Sequence, residues 1–152
     1  MKKTILILTM SMVCFLSVPN TSFSQDKPTS RIVEDGGTGP FSAIMISEKT
    51  LPTHTVFRPQ DLSKIGDTNK LPIIAWGNGA CANSPWEHIN FLSEVSSYGF
   101  LVIAIGPIPQ EGERGRGRSE SKQLLDAIDW AIAQNSDSAS PYYNKIDITK
   151  IA

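Results

Sequence analysis

The chain has 152 residues, and its 14 lysines and arginines nearly balance its 15 aspartates and glutamates, which gives a net charge of −1. A charge this close to zero gives no electrostatic reason to expect binding to nucleic acid or to an anionic membrane. The length is sufficient for one buried core. The histidines, cysteines and carboxylates show no metal-ligand spacing, so no metal site is predicted.

Residues 1–24 are predicted to be a signal peptide. Two lysines follow the first methionine, residues 4–18 are apolar, and residues 22–24 form a small-x-small cleavage site. The apolar stretch is short for a membrane helix, and no later segment reaches the roughly 18 apolar residues that a span needs. We therefore expect an exported protein, periplasmic or extracellular, with no stable membrane span. An uncleaved anchor is the alternative.

Signal cleavage would remove Cys14 and leave Cys81 as the single cysteine of residues 25–152. Exported proteins rarely keep an unpaired thiol, because their compartment is oxidising. Two interpretations follow: Cys81 is a small buried hydrophobe, or its disulfide partner lies outside this sequence.

Two short β-rich runs open the mature chain, at residues 43–46 and 53–58, with Pro52 between them and Pro59 after them. Runs separated and closed by proline predict an antiparallel pair at the edge of a sheet.

A continuous apolar run at residues 71–76 predicts a strand that is buried on both faces. A glycine-bearing loop, residues 77–84, follows it. Ser84 and Pro85 are then predicted to begin a helix, as N-cap and first helical residue. The buried face of that helix is predicted to carry Ile89, Leu92 and Ser96.

The second half of the chain repeats the alternation. Residues 100–105 predict another buried strand, and Ser119 is a candidate cap for a helix whose apolar stripe is Leu124, Leu125, Ile128, Ala131 and Ile132. Residues 146–152 predict the beginning of a further strand. Strand, helix, strand, helix and strand predict an α/β fold with a parallel sheet, flanking helices and right-handed crossovers. Residues 25–152 are predicted to form one domain, and an incomplete one.

The loop at residues 77–84 is the best candidate for a site, because ligands of open α/β sheets bind beyond the carboxyl ends of the strands. Gly77, directly after a buried strand, permits a sharp turn that exposes backbone N–H groups. Such groups can stabilise the oxyanion of acyl transfer. The alternative is that Gly77 and Gly79 only make a tight connection.

The sequence resembles the α/β-hydrolase superfamily, most closely its secreted dienelactone-hydrolase-like, cutinase-like and polyester-hydrolase-like esterases. The resemblance lies in LPIIAWGNGAC at residues 71–81, SSYGFLV at residues 96–102, DAIDWA at residues 126–131 and KIDITKIA at residues 145–152. It implies an incomplete α/β-hydrolase fold and ester hydrolysis through an acyl-enzyme. It also implies a small or polymeric ester as the substrate, and no cofactor.

Carried onto this sequence, the resemblance implies an oxyanion donor at the backbone N–H of Asn78, with Gly79 or Ala80 as the alternative. Trp76 and Gly77 are the implied substrate-binding residues. No Gly-x-Ser-x-Gly occurs in the sequence, so the catalytic serine, acid and histidine are expected beyond Ala152. The chain alone is then predicted to be inactive. The alternatives are a short exported α/β binding protein and a non-functional truncated product.

Three other features are weaker candidates for chemistry. His54 and His88 lie where a catalytic histidine is not expected, and both are interpreted as structural or surface residues. The basic cluster at residues 114–118 can grip an anion at the mouth of the site, but such clusters are more often solvated loops. A nucleophilic pair of Cys81 and His88 has no group to orient it.

Overall fold

The computed structural model describes residues 29–110, 115 and 117–152. Within them, six strands form one mixed sheet that is flanked by two α-helices. The strands are β1 (Ser30–Arg31), β2 (Ala43–Ile46), β3 (His54–Pro59), β4 (Leu71–Trp76), β5 (Leu101–Ile105) and β6 (Ile146–Ile151), and the helices are α1 (Ile89–Ser97) and α2 (Lys122–Ser136). The predicted signal peptide, residues 1–24, lies outside the described residues.

The strands follow the order β1-β2-β3-β5-β4-β6 across the sheet. Strand β4 is parallel to both β5 and β6, with Ile73 opposite Leu101 and Leu71 opposite Ile146. The remaining pairs are antiparallel. The predicted α/β architecture is therefore present, but the sheet is mixed, and the predicted parallel arrangement holds for β4, β5 and β6.

The predicted antiparallel pair is β2 and β3, but the prediction that this pair lies at the sheet edge is wrong. Strand β3 pairs with β2 on one side and with β5 on the other, and β2 pairs in turn with β1. The edge is formed by β1, in which Ser30 and Arg31 pair with Ile46 and Met45. A two-residue strand carries no hydrophobic periodicity, so the sequence pattern gives no signal for it.

The two helices cover opposite parts of the sheet. Helix α1 packs over β2, β3 and β5, whereas α2 packs over β4, β5 and β6. Leu71 and Ile73 of β4 are fully buried on the α2 side. Ile74 and Trp76 alternate with them and are only half-buried. The prediction that this strand is buried on both faces is therefore wrong for the α1 side, because α1 packs mainly over β2, β3 and β5 and covers β4 only in part.

Helix α2 buries a stripe that only partly matches the predicted one. Ala131 is buried as predicted, but the other buried residues are Ala127 and Trp130, and Leu125 is 61% exposed. The Trp130 indole makes an edge contact with the Tyr142 ring at 5.3 Å between centroids and donates to Thr50 Oγ1 at 2.8 Å. A large buried ring whose N–H must also reach a hydrogen-bond partner sets the rotation of the helix more strongly than a leucine can.

Both helices begin later than predicted. The Ser84 hydroxyl accepts the Trp86 N–H at 3.3 Å and so precedes a 3₁₀ turn, Trp86–His88, that leads into α1. Ser119 does not cap α2, whose first residue is Lys122. The Glu120 N–H donates instead to Gln123 Oε1 at 2.8 Å. The Gln123 side chain therefore bonds back to the chain before the helix, as in a capping box, and no serine side chain caps the helix.

Tyr142 fastens the segment after α2 to the sheet. Its ring is fully buried, its hydroxyl donates to the Glu48 carboxylate, and Arg58 Nε donates to that hydroxyl at 3.1 Å. The Arg58 guanidinium also lies 5.7 Å from the ring centroid, within the range of a cation–π contact. Burial raises the pKa of the Tyr142 phenol well above its usual range, so it remains a donor at any physiological pH.

Replacing Tyr142 with phenylalanine should lower the free energy of unfolding by about 1–3 kcal/mol, because it leaves Glu48 and Arg58 without their shared partner. Chemical denaturation measures this change. Tyr143→Phe is the matched control, since Tyr143 is 44% exposed and should tolerate the loss of its hydroxyl. Equal effects of the two substitutions would contradict the assigned role of Tyr142.

His54 is a buried structural residue. Its Nε2 lies 2.9 Å from the Gln123 carbonyl oxygen, and its Nδ1 lies 3.0 Å from Thr53 Oγ1. The carbonyl can only accept, so Nε2 donates to it, and Nδ1 then accepts the Thr53 hydroxyl in the neutral ring. Burial lowers the pKa of His54 from 6.5, opposed in part by the Gln123 carbonyl and the negative charge of Asp126.

Stability should fall as the pH drops from 7 to 5. The unfolded chain binds a proton at His54 from about pH 6.5 downward, whereas the folded chain binds it only at lower pH. Thermal unfolding midpoints of the natural protein and of His54→Gln, compared across this pH range, measure the effect. The variant should show a shallower decline, and parallel declines would show that His54 does not contribute to it.

Candidate functional site

The loop after β4 has an unusual backbone. Asn78 precedes a 3₁₀ turn, Gly79–Cys81, in which Ala80 and Cys81 have φ angles of 53° and 57°. Non-glycine residues rarely adopt this left-handed region, and each one that does costs on the order of 1 kcal/mol or more. Surrounding contacts must therefore hold the turn in this conformation.

The Asn78 side chain supplies the central contact. It is 8% exposed, and its Nδ2 donates to the Ala82 carbonyl at 3.0 Å and to the Ile105 carbonyl at 2.7 Å. The first bond closes the loop on itself, and the second joins it to the end of β5. Because β4 and β5 are parallel, their carboxyl ends meet at the same edge of the sheet. Asn78 links the loops that leave those ends.

The backbone N–H groups of Asn78 and Gly79 are the candidate donors to a ligand. Neither Asn78 nor Gly79 donates a backbone hydrogen bond to another residue within the described ranges. The N–H groups at the start of a helical turn have no partner inside that turn. Asn78 Oδ1 is also buried and unpartnered among the described residues. Unsatisfied polar atoms in a buried position are rare, and a bound water or ligand is the kind of partner that satisfies them.

Close packing fixes the loop against the end of β5. A side chain at Gly106, whose φ is 106°, would place its Cβ 2.7 Å from the Asn83 carbonyl carbon and from Ser84 Cα. The Ser119 N–H donates to the Cys81 carbonyl at 2.9 Å. The loop is thus held from two sides, by the β5 turn and by the segment before α2.

A cavity of about 180 Å³ lies against this loop. Asn78, Gly79 and Ala80 line one part of it, and Trp86 and His88 of the following turn line another. Three of the predicted site residues are thus brought to one cavity. The volume suits a small chemical group rather than a whole cofactor.

The other two predicted site residues lie differently. Neither Trp76 nor Gly77 lines the cavity. The Trp76 ring lies 5.3 Å from the His88 ring and 5.7 Å from the Phe91 ring, centroid to centroid. Its Nε1 is buried without a partner among the described residues. Trp76 therefore packs against His88 without lining the cavity itself. Its role in substrate binding stays a prediction.

Sequence reasoning selected Asn78 for its backbone and missed its side chain. The available signal was an asparagine between two glycines after a strand, since asparagine commonly hydrogen-bonds backbone groups in turns. His88 was also missed as a cavity residue. It was placed in a helix, but it ends the 3₁₀ turn that faces the loop.

Cys81 is exposed and unpaired within the described part of the chain. The interpretation of Cys81 as a small buried hydrophobe is therefore wrong, because the left-handed turn directs this residue outward. The disulfide interpretation stays a prediction. Cys81 does not line the cavity that contains His88, so the structure gives no support to a nucleophilic pair.

Of the basic cluster at residues 114–118, Arg118 is exposed and pairs with Ala82 as a short antiparallel bridge. Arg114 and Arg116 lie outside the described residues. Among the described residues, no group of three or more histidines, cysteines and carboxylates is placed to hold a metal ion. In the same part of the chain, no helix is both long enough and apolar enough to cross a membrane.

Comparison with known proteins gives no assignment. No protein-family model matches the chain, and no curated protein matches it.

Gly106→Ala should destabilise the protein by about 2 kcal/mol or more, because it combines a left-handed backbone with a Cβ too close to the chain at residues 83–84. Gly66→Ala is the control, since nothing lies within 4 Å of a Cβ at that position. Denaturant titration of both variants measures the difference. Similar stabilities for the two would show that the loops are not held together at Gly106.

Proposed function

We propose that this chain is part of an exported serine hydrolase of the α/β-hydrolase type, which cleaves carboxylic esters through an acyl-enzyme. The observation that carries the proposal is the pair of N–H groups at Asn78 and Gly79, which have no partner among the described residues and lie beside a cavity at the carboxyl end of β4. These groups form one half of an oxyanion hole. Ala80 is the alternative donor at the same cavity.

The topology supports this position for a site. The chain passes from β4 to β5 on one side and then from β5 across to β6 on the other side of β4. Helices α1 and α2 make these crossovers on opposite faces of the sheet. The direction in which strands are added to the sheet therefore reverses between β4 and β6. Ligands of open α/β sheets bind in the crevice at such a switch point. The loop at residues 77–84 borders it.

Ester hydrolysis needs donors that are already aimed at the oxygen on which negative charge develops. The Asn78 side chain keeps these donors in place, because its hydrogen bonds to the Ala82 and Ile105 carbonyls hold the turn in its conformation. Trp76 and Gly77 are proposed to form the adjoining substrate surface. The proposed substrate is a small or polymeric ester, and no cofactor takes part.

The nucleophile is proposed to lie outside residues 1–152. No Gly-x-Ser-x-Gly occurs in this sequence, and the triad of this fold runs in the order serine, acid, histidine from that elbow. Residues 25–152 alone are therefore proposed to be inactive. Export rests on the predicted signal peptide at residues 1–24.

The second candidate is an exported α/β binding protein that uses the same cavity without chemistry. The buried, unpartnered Asn78 Oδ1 favours it, because a bound ligand can satisfy that atom. The edge strand β6 weighs against it. Ile148 and Ile151 are 41% and 44% exposed there, and an open apolar edge invites association in a protein that stands alone.

Two substitutions at Asn78 separate its backbone from its side chain. Its φ is −73°, which proline accepts, so Asn78→Pro removes the N–H without forcing the backbone. Asn78→Ala removes only the side chain. In the natural gene product that contains this chain, Asn78→Pro should hydrolyse p-nitrophenyl butyrate about tenfold more slowly than Asn78→Ala, with the loss in kcat. The difference is smaller than the full loss of one donor, because Asn78→Ala keeps the N–H but no longer holds the turn in place.

The thermal midpoints of the two variants should agree, since both lose the same side-chain bonds. Equal kcat values at equal stability would exclude the Asn78 N–H as an oxyanion donor. Ligand binding in a natural gene product without esterase activity would favour the binding protein.

A further inference from the structure

A second cavity, of about 300 Å³, lies at the N-terminal side of α1 and shares no lining residue with the first. Val33, Glu34 and Gly37 line it from the segment between β1 and β2, and Phe91, Ser93 and Glu94 line it from α1. Asn90 lines it as well, so two carboxylates, one amide, one hydroxyl and two apolar side chains surround the same space.

Both carboxylates are held in position. Glu34 Oε1 accepts from Asn90 Nδ2, and Glu94 Oε2 accepts the Thr38 N–H at 2.8 Å. The Thr38 hydroxyl also donates to Glu94, and these bonds lower the pKa of that carboxyl. Neither glutamate forms an ion pair with a lysine, arginine or histidine of the described residues. The cavity therefore carries negative charge that no cation of the described residues pairs with.

Ser93 is the independent sign of a ligand. The residue is 2% exposed, lines the cavity, and its Oγ has no hydrogen-bond partner among the described residues. A helical serine commonly bonds the carbonyl four residues earlier or points to water. A buried hydroxyl that does neither needs an explanation, and a polar group of a ligand supplies one.

The backbone at the opposite wall is strained. Glu34, Asp35, Gly36 and Gly37 have successive φ angles of 44°, 58°, 88° and 85°. Two non-glycine residues in this region persist only when other contacts enforce them, and such strain concentrates at ligand sites. The turn brings the Glu34 carboxylate to Asn90 of α1.

We propose that this cavity binds an organic cation, an alkylammonium or guanidinium group on a hydrocarbon stem. The charged head lies between the Glu34 and Glu94 carboxylates and donates to Ser93 Oγ. The stem packs on Val33 and on the Phe91 ring, which is 55% exposed and can also attract the cation through its face. A divalent metal ion fits less well, because Ca²⁺ takes six or more oxygen ligands and the cavity has apolar walls.

This inference does not depend on the proposed hydrolase activity. It is tested by isothermal titration calorimetry of the purified protein with 1-pentylamine, and with 1-pentanol as the uncharged probe of the same length. Pentylamine should bind, and pentanol should bind at least about tenfold more weakly, since a charge-assisted hydrogen bond contributes that much. A lysine-bearing peptide, acetyl-Gly-Lys-Gly-amide, tests whether the natural cation is a free amine or a protein side chain.

Glu94→Gln and Glu34→Gln should each weaken pentylamine binding by about tenfold. Asp129→Asn is the matched control: it makes the same charge change on α2, on the other face of the sheet, and should leave binding unchanged. Glu34 is exposed, so its variant should fold even if Glu94→Gln does not. Equal binding of pentanol, unchanged binding by Glu34→Gln, or displacement of pentylamine by millimolar Ca²⁺ would each overturn the proposal.

Discussion

The two hydrogen bonds from the Asn78 amide are the contacts on which the candidate site depends. They join the loop after β4 to itself and to the end of β5, and they do so where the backbone is strained. Without them, Ala80 and Cys81 would be free to leave the left-handed region, and the N–H groups of Asn78 and Gly79 would lose their fixed direction. A preorganised donor stabilises a developing charge far better than one that must first reorient.

The two helices cover the two faces of the sheet unequally, and this determines which residues surround the site. Because α1 packs over β2, β3 and β5, the α1 side of β4 is left with Ile74 and Trp76 half-buried. Trp76 then contacts His88, which lines the first cavity, and Phe91, which lines the second. The aromatic cluster therefore supports His88 at the first cavity and presents Phe91 to the second. The position of α1 on the sheet therefore determines the surroundings of both cavities.

The parts of the fold that the sequence predicts are those with strong local patterns. The apolar runs of β4 and β5 are visible as strands, and so is the alternation with two helices. Helix rotation was less predictable, since Trp130 and its bond to Thr50 outweigh the leucine stripe. Strand β1 was missed because two residues carry no periodicity. It is a strand because it pairs with β2, and its own sequence gives no sign of this.

The candidate site, like the fold, could be predicted from the sequence only in part. Glycines after a strand indicate the loop, and so its position could be predicted. The partner of the Asn78 side chain, Ile105, lies 27 residues away and follows only from the parallel register of β4 and β5. Glu34 and Glu94 are separated by even more of the chain, and nothing local marks them as neighbours. Contacts made by tertiary packing alone have no signature in a single sequence.

A crystal structure of the natural gene product, inhibited with a fluorophosphonate, is the most direct measurement. The account predicts that the phosphonyl oxygen accepts a hydrogen bond from the N–H of Asn78 or from its neighbour, Gly79 or Ala80. It also predicts that the phosphorus is bonded to a serine outside residues 1–152. A phosphonyl oxygen bound elsewhere, or a labelled serine within residues 25–152, would contradict it.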